Sequence, residues 1–226
     1  DQVEIFHRNK KKITESKFYS IKEIKQLDKE ISQTIEKDLQ NITSKEESIL
    51  GLKFDTPLII GALNITPDSF SDGGLFFDET KAYEQAKLMI NSGAIIIDIG
   101  GESTRPGSKT IDEKDEWKRV KNTIIKLKNN FPKILLSLDT RKSYVMSNGI
   151  ENGVDIINDV SGLNFDKRSF DLINSKKKPF ILNHMKGNPS TMQKNPSYDD
   201  VLLDIFDFFE NTFQFIFCRN GKNLII

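Results

Sequence analysis

Residues 58–74 have the sequence LIIGALNITPDSFSDGG, in which an apolar run gives way to a polar loop. The run over 58–63 has the length and composition of a buried strand. Pro67 fixes its own backbone and favours extended geometry at Thr66, while Gly73 and Gly74 can turn where a side chain would clash. The stretch predicts a strand that ends in a loop able to carry chemistry, although an ordinary surface loop uses the same residue types.

Five more apolar runs follow, and helical patterns separate them. The six runs cover residues 58–63, 94–99, 134–138, 154–157, 179–182 and 224–226. Because they are nearly continuous in Ile, Leu and Val, they predict strands buried on both faces, as in a parallel sheet. Helical spacing recurs between runs, as at Trp117, Val120, Ile124, Leu127 and Phe131. The pattern predicts an α/β fold of repeated βα units.

Each of the first five runs leads into a polar side chain. These side chains are Asn64, Asp98, Asp139, Asn158 and His184. Ligands of βα-repeat folds lie beyond the carboxyl ends of the strands, so five segments could form one site. A closed barrel and an open doubly wound sheet both fit this pattern. The first strand is not followed by a G-x-G-x-x-G sequence, which disfavours a dinucleotide-binding fold.

Five ordered motifs resemble the signatures of the dihydropteroate synthase family. They are NITPDSFSDGG at 64–74, DIGGESTRPG at 98–107, SLDTRK at 137–142, DIINDVSG at 155–162 and HMKGNPSTMQ at 184–193. The resemblance runs from about Pro57 to the C-terminus. It implies a TIM (β/α)8 barrel of the pterin-binding type with about six of the eight βα units present, so we expect the chain to be C-terminally incomplete.

The resemblance also implies a reaction. The family consists of transferases of folate biosynthesis, known as sulfonamide targets, which join 6-hydroxymethyl-7,8-dihydropterin diphosphate to p-aminobenzoate and release pyrophosphate. Magnesium accompanies the diphosphate. Positioning and electrostatic stabilisation carry most of such a displacement.

Asp139, Asn158 and Arg105 are the candidate catalytic residues. A pterin edge presents N–H donors beside a carbonyl acceptor, which a carboxylate and an amide can match, so the resemblance assigns Asp139 and Asn158 to the pterin. Strand-end Asp and Asn residues are otherwise good helix caps. The Arg105 guanidinium suits a diphosphate or carboxylate, although a solvated loop arginine is its ordinary role.

The remaining assignments are also implied by the resemblance. Asn64 is expected to offer an oxygen to Mg²⁺, which needs few protein ligands when phosphate supplies others. The candidate substrate contacts besides Asp139, Asn158 and Arg105 are Thr104, Pro106, Phe70 and Met185. We expect Asp98, within an Ile-rich run, to be hydrogen-bonded in the interior, because an unpaired carboxylate there is costly. His184 fits either a satisfied strand-end histidine or a ligand contact.

The N-terminal part lies outside the resemblance. We expect a charged segment and an amphipathic helix over residues 1–55, followed by the pterin-binding domain over 56–226. Residues 1–19 are charged and aperiodic, which favours disorder. Ser20 and Glu23 have capping-box spacing, and apolar residues at helical intervals extend the helix to about residue 43. Its apolar stripe suits docking on the adjacent domain or binding a partner.

Composition restricts the function classes. Lys+Arg and Asp+Glu both total 33, so no net charge favours nucleic acid or an anionic membrane. One cysteine excludes an internal disulfide, and with two histidines it disfavours a His/Cys zinc site. The sequence contains no uninterrupted run of 18 apolar residues of the kind that predicts a membrane span. We expect a cytoplasmic protein that acts on small molecules as a homodimer.

Two other functions share parts of this pattern. A pterin-binding methyltransferase domain that works beside a corrinoid protein would use the same Asp and Asn residues. A non-catalytic truncated paralogue would keep the pterin-binding or dimerisation surface as a scaffold.

Overall fold

A computed structural model describes residues 2–9, 12–44, 48–66, 79–103, 110–188, 191–192 and 195–218. The chain divides into two compact units. One unit comprises Asp1–Thr56 with Ser197–Asn211, and the other comprises Pro57–Pro196 with Thr212–Ile226. All the candidate site residues that the structure describes belong to the second unit.

The first unit begins with an antiparallel hairpin. Its strands are β1 (Gln2–Asn9) and β2 (Lys12–Ser20), so the expectation of disorder over residues 1–19 is wrong for the part that the structure describes. Along β1, half-buried Val3, Ile5 and His7 alternate with exposed neighbours, as in a strand with one covered face. The alternating segment is short and contains charged residues, which hides the strand pattern in the sequence. Each strand also depends on hydrogen bonds from the other, which composition does not reveal.

Two helices replace the single helix expected over residues 20–43. The capping box is present, since Ser20 Oγ accepts from the Glu23 N–H and the Glu23 carboxylate accepts from the Ser20 N–H. The first helix, α1 (Ile21–Ile24), is short. The second, α2 (Lys29–Thr43), starts anew because the Asp28 carboxylate caps it by accepting from the Glu30 N–H at 2.9 Å.

The apolar stripe of α2 faces a cavity of about 660 Å³ within the first unit. The side chains that line it include Val3, Ile5, Ile31, Ile35, Leu39, Ile42, Leu203 and Phe206. The stripe therefore faces the hairpin and residues 202–206.

The second unit contains a parallel sheet whose strands alternate with helices. The strands are β3 (Ile60–Asn64), β4 (Ile96–Gly100), β5 (Leu135–Asp139), β6 (Ile156–Asp159) and β7 (Phe180–Leu182). The helices are α3 (Glu79–Asn91), α4 (Glu113–Asn130), α5 (Ser143–Glu151), α6 (Ser169–Lys176) and α7 (Val201–Cys218), the last of which contributes residues to both units. These elements confirm the predicted βα repeat.

Strand order distinguishes the two architectures that the sequence leaves open. Each strand pairs in parallel with the next one along the chain, from β3 to β7. A doubly wound sheet reverses this order part-way, whereas a barrel does not. Because crossovers are right-handed, an unreversed order places the helices on one side of the sheet. The described residues therefore form part of a (β/α) barrel, and the apolar run at 224–226 lies outside them.

The core lies between the central strands and the helices. Ile97, Ile99, Leu136 and Leu138 are fully buried or nearly so, and so are the predicted apolar positions Val120, Ile124 and Leu127 of α4. The first strand differs, since 48% of Ile60 is exposed. The expectation of burial on both faces is wrong for β3 because it is an edge strand that pairs only with β4 within the described sheet.

The Phe-rich stretch near residues 205–217 is helical and belongs to α7. Asp204, Asp207 and Glu210 interrupt its apolar sequence. Among the residues described, no helix has both the length and the apolar character to cross a bilayer.

Candidate functional site

Four residues form a row at the carboxyl ends of neighbouring strands. Asn64 of β3 is in register with Gly100 of β4, Gly100 with Asp139 of β5, and Asp139 with Asn158 of β6. Residues in register on parallel strands point to the same face of the sheet. The structure therefore brings Asn64, Asp139 and Asn158 together, as their strand-end positions predict.

Gly100 leaves a gap in this row. A Cβ atom at Gly100 would lie 3.4 Å from Asn64 Oδ1 and 3.5 Å from Asp139 Oδ2. Any larger side chain would fill the space between the amide oxygen and the carboxylate. The absence of a side chain thus keeps both groups accessible from the same side.

The Asp139 carboxylate lies within this row of strand ends. It accepts no hydrogen bond from the part of the chain that the structure describes. Its pKa is raised from the ordinary 3.8 to about 7, first by burial and then by the negative charges of Asp98, Glu116 and Asp159, while Arg141 opposes the rise. A ligand that donates hydrogen bonds would stabilise the charged form.

Asn158 lies in a chain of hydrogen bonds. Its Nδ2 donates to Asp98 Oδ2 at 3.0 Å, and its Oδ1 accepts from Asn183 Nδ2 at 2.9 Å. The first bond confirms the prediction that Asp98 is hydrogen-bonded in the interior, although its Oδ1 is buried without a partner in the described structure. Sequence reasoning missed Asn183. Its position directly after β7, one residue before His184, is the sequence feature that could have identified it as a strand-end polar residue.

A buried cluster of four charges lies beside the row. The Glu102 carboxylate accepts from Arg141 and Lys142, and Lys142 also donates to Glu116. Arg141 additionally stacks on the Phe165 ring, with its Cζ 4.2 Å from the ring centroid. The cluster fixes Arg141 two residues beyond Asp139, where its charge lowers the cost of ionising that carboxylate.

Asp159 follows Asn158 and is fully buried. Its Oδ1 accepts from the backbone N–H and the hydroxyl of Ser161, at 2.8 and 2.6 Å. Burial raises its pKa, and these hydrogen bonds and Arg141 oppose that rise. Asp159 therefore shapes the loop after β6 and adds negative charge near Asp139.

Of the other candidate residues, the structure describes only His184 and Met185. His184 and Met185 follow β7 and are half-buried. Thr104, Arg105, Pro106 and Phe70 lie outside the described residues.

Asn64 is the candidate magnesium ligand in the row. Its side-chain oxygen borders the space left by Gly100. No cluster of three or more His, Cys, Asp or Glu side chains suited to a metal occurs among the described residues. An amide oxygen fits Mg²⁺ when water and a phosphate ligand supply the remaining oxygens. The described residues are thus compatible with a magnesium ion that the substrate brings.

The strand order and the row of polar side chains define a (β/α)-barrel protein whose candidate site lies at the carboxyl ends of the strands. The sequence profile described as "Pterin binding enzyme" matches residues 60–215, and the chain belongs to that family.

Several similar proteins are named dihydropteroate synthase. The chain is 42% identical over 151 residues to the dihydropteroate synthase of Synechocystis sp., which covers 67% of this chain and 52% of the relative. It is 40% identical over 159 residues to the dihydropteroate synthase of Haemophilus influenzae, covering 70% of this chain and 57% of the relative. The matched region therefore spans little more than half the length of these relatives.

Solved structures of dihydropteroate synthases superpose on this fold. The Clostridium difficile dihydropteroate synthase, determined in the presence of pteroic acid, superposes with a TM-score of 0.68 at 38% identity, covering 76% of this chain and 63% of that one. The Xanthomonas albilineans enzyme with 4-aminobenzoic acid gives 0.64 at 34% identity, covering 72% and 57%.

Proposed function

We propose that the protein to which this chain belongs is a dihydropteroate synthase. It would condense 6-hydroxymethyl-7,8-dihydropterin diphosphate with p-aminobenzoate to give 7,8-dihydropteroate and pyrophosphate. The main support is the Asp139 carboxylate, which has no hydrogen-bond partner among the described residues. Asp139 is in register with Asn158, and the Gly100 gap separates it from Asn64. The names of the relatives support the same reaction.

Asp139 and Asn158 would bind the pterin edge. The carboxylate accepts from ring N–H donors, and the amide has one N–H and one oxygen lone pair left after its bonds to Asp98 and Asn183. The ring thereby satisfies a carboxylate that the described chain leaves without a partner. Binding and orientation of the methylene carbon follow from these contacts.

Asn64 and Arg105 would hold the leaving group. The Asn64 oxygen would face a magnesium ion that arrives with the diphosphate, and this ion would neutralise charge on the departing pyrophosphate. Arg105, with Thr104 and Pro106, would contact the diphosphate and the aminobenzoate. Phe70 and Met185 would pack against the rings.

The proposal extends to the setting of the protein. We infer a homodimer, supported by the large apolar side chains Val201, Leu202, Phe206 and Phe215 that α7 leaves exposed. We also infer a cytoplasmic location and a domain boundary near residue 56.

The test is formation of dihydropteroate from the two substrates, together with the affinity for the pterin. Asp139→Ala should abolish measurable product formation and weaken pterin binding, because the ring donors lose their acceptor. Glu84→Gln, on the exposed side of α3, is the control and should leave both unchanged. Unaltered pterin affinity in Asp139→Ala would contradict the assignment. Methyl transfer from methyltetrahydrofolate in place of synthesis would instead identify the methyltransferase alternative.

A further inference from the structure

We propose that Asn183 is a positioning residue that sets the donor–acceptor polarity of Asn158 and thereby decides which heterocyclic edge the site accepts. The inference rests on the proposed pterin-binding function and deepens it. It is carried by the hydrogen bonds that join Asp98, Asn158 and Asn183.

The polarity of Asn158 follows from Asp98. An ionised carboxylate only accepts hydrogen bonds, so the Asn158 atom that faces Asp98 Oδ2 at 3.0 Å must be the amide nitrogen. The amide oxygen then faces Asn183 and must accept. Asn183 Nδ2 supplies the donor at 2.9 Å.

The polarity of Asn183 follows independently from Asp159. Asn183 Nδ2 also approaches the backbone oxygen of Asp159, at 3.5 Å, and a carbonyl oxygen only accepts. Asp159 cannot move away easily, since it is in register with Leu182 of β7 and its side chain is bonded to Ser161. The Asn183 nitrogen therefore lies between two acceptors, and turning its amide over would face oxygen against oxygen.

Asp98 on one side and Asn183 on the other thus select the same orientation of the Asn158 amide. After these two bonds, Asn158 retains one N–H hydrogen and one oxygen lone pair for a ligand. Turning the amide over would exchange the positions of that donor and acceptor beside Asp139. Asn183 would thereby favour a ring edge with a carbonyl beside its N–H donors over one with an amino group there.

A structural role for Asn183 gives a different expectation. If Asn183 only ties β6 to β7, substitutions should lower stability and weaken all ring ligands by the same factor. If it sets polarity, the ratio of affinities for two rings of opposite polarity should change. The discriminating quantity is therefore the ratio between a 2-amino-4-oxopteridine and a 2,4-diaminopteridine.

The experiment compares the native protein with Asn183→Asp and with the double variant Asp98→Asn, Asn183→Asp. Asn183→Asp replaces the donor to Asn158 Oδ1 by an acceptor, which leaves Asn158 between two carboxylates. The double variant restores complementary partners for Asn158 with reversed polarity, because the new amide at position 98 can donate to Asn158 while the carboxylate at position 183 accepts from it. The contact of position 183 with the Asp159 backbone oxygen is not restored.

The native protein should prefer the oxo ring. The double variant should shift the affinity ratio toward the diamino ring by about tenfold or more, the size expected for losing one hydrogen bond and gaining another. For the single variant, the loss of oxo-ring affinity is measured relative to the native protein at the same pH. This loss should be larger at pH 8 than at pH 5, because protonation turns the introduced carboxyl into a donor again. Calorimetric titration of both rings at the two pH values gives these quantities.

Asn164→Asp is the matched control. Its Nδ2 also bridges two acceptors, the backbone oxygens of Ser161 and Gly162, and no described hydrogen bond joins it to Asn158. It should leave the affinity ratio unchanged.

An unchanged ratio in the double variant, with folding intact by circular dichroism, would overturn the inference. If the double variant does not fold, the single variant decides: equal losses of oxo-ring affinity in Asn183→Asp at pH 8 and pH 5 would overturn the inference. A native protein that binds neither ring would instead overturn the proposed function.

Discussion

Asp139 is held in an environment that disfavours its charge. Burial and three neighbouring carboxylates raise its pKa to about 7, and the described residues give its carboxylate no hydrogen bond in return. The folded protein therefore binds the Asp139 proton more tightly than the unfolded chain does. Such a residue destabilises the free protein and becomes favourable when a donor-bearing ligand is present.

Stability should consequently fall as pH rises. The contribution of Asp139 is fully present below about pH 4, where both states are protonated, and is lost as pH rises to about 7, because only the unfolded chain releases the proton easily in that window. Asp139→Asn removes this dependence. At pH 8 it should raise the free energy of unfolding by roughly 1–3 kcal/mol, at about 1.4 kcal/mol per pKa unit with allowance for partial exposure. Urea denaturation at pH 4.5 and pH 8 measures the difference.

Asp166→Asn provides a control of opposite sign. Hydrogen bonds from Arg168 and Ser143 hold the pKa of Asp166 far below its ordinary value. Its contribution is present above about pH 4 and is lost as pH falls. This substitution should destabilise at pH 8. Equal effects of Asp139→Asn at the two pH values would show that the carboxylate is not strained.

Gly100 should matter for ligand affinity rather than for folding. In Gly100→Ala the added Cβ lies at ordinary contact distance from Asn64 Oδ1 and Asp139 Oδ2, so stability should change by less than about 1 kcal/mol. The methyl group nevertheless occupies the gap between them, and pterin affinity should fall by about tenfold or more. Thermal denaturation and ligand titration separate the two effects.

Gly101→Ala is the neighbouring control. Its Cβ would lie 2.9 Å from Val120 Cγ1 and 3.0 Å from the Glu116 backbone oxygen, so we expect a loss of about 1–3 kcal/mol from overpacking. If Gly100→Ala destabilised the fold as much and left affinity unchanged, the gap would be structural.

Part of this site could be predicted from the sequence. Asp139 and Asn158 follow apolar runs directly, and parallel register places such strand-end residues side by side. The hydrogen bonds of Asn158 could not be predicted, since its partners lie 60 and 25 positions away and their pairing depends on side-chain packing.

Side-chain contacts join the loops that follow three strands. Glu102 follows β4, Arg141 and Lys142 follow β5, and Phe165 follows β6. Burial favours a higher pKa for Glu102, but the bonds from Lys142 and Arg141 outweigh it and keep that pKa below its ordinary 4.5. The cluster holds the carboxyl-end loops in one arrangement.

Removing one charge should therefore be costly. Lys142→Met leaves Glu102 and Glu116 buried with one cation fewer, and we expect a loss of about 3–5 kcal/mol at pH 7. Because the pKa of Glu102 is lowered, this contribution is present above about pH 4.5 and is lost as pH falls. Guanidinium denaturation at pH 7 and pH 3.5 measures it.

The control is an exposed pair in the first unit. Lys17 lies 3.3 Å from Glu15 and both side chains are about half-exposed, so Lys17→Met should cost less than about 0.5 kcal/mol. A similarly small effect of Lys142→Met would mean that water replaces the missing cation.

Elements were predicted best where apolar periodicity is long. The helix spacing from Trp117 to Leu127 is confirmed by α4. The strand pair at the N-terminus was missed because its two strands stabilise each other by hydrogen bonds between them. The helix break at Asp28 was missed because a local cap outweighed a continuous apolar stripe.

The whole sheet, as far as it is described, has β3 at one edge. Ile59 and Ile60 are 57% and 48% exposed there. An exposed apolar edge strand is a template for pairing with another chain.

The 226-residue chain prepared by itself should therefore associate as its concentration rises. Ile60→Lys should weaken this association by about tenfold, since a charge on an edge strand opposes pairing. Leu88→Lys, on α3 and 60% exposed, controls for added charge alone. Sedimentation velocity over a concentration series gives the result. Equal behaviour of both variants would exclude β3 as the associating edge.

The unreversed strand order also bears on biosynthesis. Each strand from β4 to β7 pairs with the one made just before it, so these pairs within the described sheet need no distant part of the polypeptide. Local pairing of this kind favours rapid assembly, and domains commonly form while synthesis continues. The sheet can accordingly grow one βα unit at a time during synthesis, and Asp139 and Asn158 can become neighbours once β6 has been made.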